Sequence, residues 1–129
     1  MGLIAVGEPG FIDGLVLCLA GDFRFAFAAN DVEGVDAWHD AVTSDTPCVR
    51  EMFNLPRLPG RIVRHEGESL VVDALEVASE STKLFPVPSL FVKELGGALE
   101  GFVLHQKRLQ PLVRFVPFAA FVQKGRVSA

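Results

Sequence analysis

The order of three segments in the second half of the chain constrains its fold most. GESLVVDALEV (67–77) is followed by a PVP tripeptide (86–88) and then by ALEGFVLHQKRLQPLVRFVPFAAF (98–121). The patterning reads as strand, extended connector, strand, turn, strand and short helix. In 101–105 Phe102 and Leu104 share a face, with Gly101 opening the strand. In 108–115 Leu109, Pro111, Val113 and Phe115 share one face and Arg108, Gln110 and Arg114 the other, so the polar side is expected to be wet. Pro111 has no N–H for a ladder, which predicts an edge or a bulge there. Phe115, Phe118, Ala119 and Val122 recur at helical spacing, and Gln123-Lys124-Gly125 is expected to end that helix.

The first half carries a hairpin. Residues 14–19 are apolar, Ala20-Gly21-Asp22 forms a turn, and 22–28 alternate with Phe23, Phe25 and Phe27 on one face and Arg24 on the other. The three Phe are read as core. Asn30 can cap one helical turn, with Asp31 and Glu33 near its positive end and Val32 and Val35 on one side. Residues 36–60 show no sustained period beyond a brief helix around Cys48 to Phe53, and so long a connection invites a functional reading. A second hairpin over 61–64 and 69–77 turns at His65-Glu66-Gly67-Glu68, with Leu70, Val71 and Val72 apolar on both faces, as in a central strand. Asp73 is read as a carboxylate accepting hydrogen bonds at a bend. Residues 83–88 read as a Pro-fixed connector, and 89–95 as a short helix capped by Ser89 and ended by Gly96-Gly97.

Half of the 129 residues are apolar and 22% are charged, enough for one globular domain with a real core. A net charge of −4 with scattered cations argues against nucleic acid. Cys18 and Cys48 have no metal-ligand spacing and are read as reduced thiols of a cytosolic protein. Glu8, Pro9 and Asp13 interrupt the apolar N-terminus before membrane or signal length, so no membrane insertion is expected. His39, His65 and His105 form no HxH or HExxH pattern. No GxSxG elbow or phosphate-cradling glycine loop occurs, and Glu66 and Glu68 beside a turn glycine are read as solvated. The chain is therefore expected to be no enzyme, to need no cofactor or metal, and to act through surface complementarity.

Three segments together resemble the CheW family of β-barrel adaptors, which couple chemoreceptors to the histidine kinase CheA in bacterial chemosensory arrays. LVLCLAGDFRFAFAANDVEGV (15–35) is similar to the family's opening strand, glycine turn, strand and short turn with two spaced aliphatics. GESLVVDALEV is similar to its later glycine, apolar run and VVD. The PVP connector and the 99–121 block are similar to its close. Order and spacing carry the likeness, which spans most of the chain.

The resemblance implies an all-β fold, a CheW-like pair of small five-stranded-type β-barrels with short helices, in a single domain over 1–129. Within it, 10–60 would hold the first hairpin and long connector, and 61–123 the second hairpin set and terminal helix. It implies chemoreceptor signalling helices and a CheA-type kinase or another CheW-like adaptor as partners. The departure is a strand-turn-strand block that family members carry before the VVD strand. LPRLPG (55–60) is similar to its approach, yet RHEGESLVVD supplies only one of two required copies. One barrel is thus expected to be incomplete, as in short, divergent members such as the FrzB type of the Frizzy gliding-motility system. Val32 matches the family's receptor- and kinase-contacting aliphatic, and Val35 shares its face. Gly34 stands where an acidic residue is common, and Arg64 is a displaced counterpart of the arginine in the absent turn. The other reading is a small-ligand-binding β-barrel sensor, which the dry Phe content permits.

Overall fold

A computed structural model of the chain describes residues 10–37 and 46–128; His39 lies outside them. The strands are β1 (Gly10–Ala20), β2 (Phe23–Ala28), β3 (Gly34–Ala37), β4 (Arg61–His65), β5 (Glu68–Val72), β6 (Ala74–Pro86), β7 (Leu99–His105) and β8 (Arg108–Val113), followed by helix α1 (Phe115–Ser128). Strands β1-β2-β8-β7-β6 close into a barrel, and β3-β4-β5 form a separate three-stranded sheet. The fold is all-β with short helices, one closed small barrel and a second sheet that has three strands among the described residues.

Strand alternation divides the apolar residues between two cores. Leu15, Leu17, Ala26, Ala78, Val103 and Leu112 come from all five barrel strands and fill the lumen. The opposite parity of β1 and β2, including Val16, Cys18, Phe25 and Phe27, faces out of the barrel. There it meets Val63, Leu70 and Val72 of the second sheet and Phe115, Phe118, Ala119 and Val122 of α1. Phe25 and Phe27 are core as expected, each fully buried and in ring contact with Phe118, whereas Phe23 sits at the rim against Phe53. Each such ring contributes about 1.5–3 kcal/mol of burial.

Several local expectations change in the folded chain. Strand β6 runs through the supposed connector to Pro86, because Leu84 to Pro86 pair with β7. Gly101 lies inside β7 opposite Pro86 rather than opening the strand. Strand β8 is no edge: β7 flanks it on one side and β2 on the other, although the β2 pairing is the single register pair Ala26 and Leu112 just past Pro111. Strand β5 is buried yet not central, since β4 occupies the middle and a parallel bridge from Cys48 covers β5 at Val71. Residues Ser89–Phe91 and Glu94–Gly97 are two 3-10 turns without a side-chain cap, and α1 continues through Gly125. The helix around Cys48 is a 3-10 segment, Val49–Phe53.

Candidate functional site

The two sheets are tied together by polar contacts at their junctions. Asp73, at the bend between β5 and β6, accepts hydrogen bonds at Oδ2 from the Gly21 N–H and from Arg50 Nη1, both at 2.8 Å. Its own N–H donates to the Leu19 carbonyl at 2.8 Å. The VVD aspartate thus locks the first hairpin turn to the Val49–Phe53 segment, the structural role read from the sequence. Asp31 does more than its local turn suggested. Its Oδ2 accepts from the Phe115 N–H at 2.7 Å, capping α1 from 84 residues away, and its Oδ1 lies 3.5 Å from His65 Nε2. His65 Nδ1 is buried without a hydrogen-bond partner among the described residues.

Val32, Val35 and Arg64 fall on adjacent parts of the β3–β4 layer but do not form one patch. In the antiparallel register Gly34 faces Arg64, Val35 faces Val63 and Asp36 faces Ile62. Because opposed residues share a sheet face, Val35 points with Val63 toward the core between the layers, and Val32 also packs against that core. Both valines are half-buried. Arg64 points to the other face, where its Nε sits 2.7 Å from Asp36 Oδ2 in an exposed ion pair. Gly34 has a physical role there: a Cβ on it would lie 2.6 Å from Arg64 Nη2, so the absence of a side chain lets the guanidinium lie across β3.

Among the described residues no group of three or more His, Cys, Asp or Glu could hold a metal ion. Cys18 and Cys48 are free, buried thiols, and burial pushes both upward from the ordinary thiol range, against a weaker downward pull on Cys48 from the Arg50 backbone. They are poor nucleophiles in that state. A cleft of about 530 Å³ at the barrel mouth is lined by Arg24, Glu76, His105, Arg108 and Gln110. Another of about 540 Å³ runs between α1 and the β4–β5 hairpin, past Pro47, Gly67, Val116 and Ala120.

No protein-family model matches the chain, and no curated protein matches it. The solved structures that match include the scaffolding protein TtCheW from Thermoanaerobacter tengcongensis, with a TM-score of 0.51 and 12% sequence identity, over 81% of this chain and 90% of that one. The fold is CheW-like. Among the described residues no helix is long and apolar enough to cross a membrane.

What the sequence pattern missed is the exterior of the CheW-like barrel. The alternation predicts Leu109 and Pro111 on the dry side of β8, yet Gln110 is buried and Leu109 is 61% exposed. The signal was present in the alternation; its sense could not be fixed without knowing which parity fills the lumen.

Proposed function

We propose that this chain is a non-enzymatic adaptor that couples a cytoplasmic chemoreceptor, of the methyl-accepting type, to a CheA-type histidine kinase. The observation that carries this reading is the architecture: a closed five-stranded barrel joined to a second sheet that has three strands among the described residues, in a CheW-like fold. The reduced second layer supports an accessory role in which kinase coupling is weak or selective, and gliding motility is the setting we assign to it. The receptor's helical hairpin would lie along β3, the edge strand of the second sheet, where Val32 and Val35 reach the rim from one face and Arg64 brings a charge from the other, with the valines as the apolar anchors of a helix-in-groove contact. A ligand-binding barrel is the weaker reading, since Leu15, Leu17, Val103 and Leu112 fill the lumen.

Pull-down and titration calorimetry with a receptor signalling-domain fragment and with the kinase regulatory domain test the proposal. Receptor binding is expected to fall about tenfold in Arg64→Glu, the reversal of one interfacial charge, and kinase binding is expected to be the weaker of the two. Full-strength kinase binding with no receptor binding would overturn it.

A further inference from the structure

Four barrel strands carry an apolar outer face that nothing else in the described chain covers. Phe85, Phe102 and Pro111 stand in one register row across β6, β7 and β8, all half-buried. A second row pairs Leu104 with Leu109, 40% and 61% exposed. On β1 the ring of Phe11, 72% exposed, is in register with Lys83 of β6, whose ammonium lies 5.4 Å from the centre of the Phe85 ring. The β7–β8 hairpin therefore turns Leu104 and Leu109 out and Gln110 in, the reverse of a hairpin built to face water. The opposite side of the barrel is already occupied by α1 and the second sheet.

We infer that this face is a contact between two copies of the chain. Exposed apolar side chains in register, rather than scattered, mark an interaction surface. Its extent suits a weak dimer. The outward residues of β6 from Val77 to Phe85, with Ser79, Ser81 and Lys83 between the two apolar ends, span about 26 Å at ~3.3 Å per residue, and four strands spaced ~4.8 Å apart add about 15 Å of width. The patch is thus about 400 Å² in projection, half of the roughly 800 Å² per partner of a standard interface, as in a contact that dissociates on dilution. Charge favours a like copy over a strongly acidic or basic partner. Lys83, directly opposite Phe11, and Asp13, two residues further along β1, both lie on this face, and among the described residues neither is in an ion pair. A twofold axis through the face sets the Lys83 of each copy against the Asp13 of the other, the self-complementarity an isologous contact requires. The inference stands independently of the proposed partners, because this face is separate from the β3–β4 layer.

Sedimentation velocity on the full chain, over about a hundredfold dilution series, tests it by mass action. The wild type is expected to dimerise and to dissociate on dilution, and Leu109→Glu to raise the dimer Kd by about a hundredfold. Lys83→Glu is expected to weaken the dimer, and Lys83→Glu with Asp13→Lys to restore it. Lys83 and Asp13 are exposed, so this pair of variants reports on the interface even where a leucine substitution disturbs folding. A wild type that stays monomeric throughout overturns the inference. So does a dimer indifferent to Leu109→Glu, or a double variant no tighter than Lys83→Glu alone.

Discussion

At the scale of single residues, stability is concentrated where one side chain serves two elements. Asp73 Oδ2 satisfies both the Gly21 N–H and the Arg50 guanidinium in a partly buried junction. Asp73→Ala leaves a backbone donor and a cation without their acceptor, and the expected loss is about 2–3 kcal/mol in urea unfolding. Asp73→Asn, which keeps an acceptor for Gly21, is expected to lose less. A second prediction concerns the thiols. Burial raises the folded-state pKa of Cys18 and Cys48 above the unfolded value, so below the unfolded thiol pKa both states are protonated and the full stability is present. Above it the unfolded chain alone releases protons, and stability falls as pH rises. Thermal stability is expected to fall from about pH 9 upward, with a slope of up to ~1.4 kcal/mol per pH unit per thiol, and Cys18→Ala is expected to flatten that decline. An unchanged alkaline profile in Cys18→Ala would count against the buried thiol.

At the scale of elements, the two later hairpins use the same turn geometry with unequal chemistry. The β4–β5 turn places Glu66 and Gly67 at φ 49° and 81°, whereas the β7–β8 turn places Gln106 and Lys107 at φ 50° and 65° with no glycine. Left-handed backbone costs an ordinary residue about 1–2 kcal/mol, which is why such two-residue turns favour Asn-Gly. Replacing Gln106-Lys107 by Asn-Gly is expected to stabilise the protein by about 1 kcal/mol, read as a higher urea midpoint at constant slope. Gly101 answers a different demand. A Cβ there would meet the Phe85 carbonyl oxygen at 2.7 Å, so Gly101→Ala is expected to destabilise by about 1–3 kcal/mol, the usual range for overpacking, in the same assay. These positions show what was legible in the sequence. The hairpins, the Phe23-Phe25-Phe27 strand and the Asp73 bend were readable because period and turn residues are local signals. The barrel's inside-out sense at Gln110 and the capping of α1 by Asp31 were not, since both depend on partners far away in the chain. The same limit separated Arg64 from Val32 and Val35, which register alone places on opposite faces.

At the scale of the whole molecule, the core between the layers decides whether the barrel and the second sheet are one folding unit. Phe25 is fully buried with ring contacts to Phe23, Phe27 and Phe118, and the cluster around it draws on β1, β2, β4, β5, β8 and α1 together. The three-stranded sheet has few alternatives to this packing. Among the described residues its other face holds the small cluster of Cys48, Ile62 and Val71, and isolated sheets of this size are marginal without a second layer. The barrel, by contrast, keeps a filled lumen of its own. If the shared core sets the cooperativity, Phe25→Ala lowers global stability by about 3–5 kcal/mol and does so equally for amides of β4, β5 and the barrel strands in native-state hydrogen exchange. If instead the layers are separable, the same substitution speeds exchange in β4 and β5 while β7 retains its protection, and the second sheet is a dispensable attachment. We expect the first outcome, because Val63, Leu70 and Val72 share one buried cluster with the barrel, α1 and the Val49–Phe53 segment, so loosening that core removes the support of both layers at once.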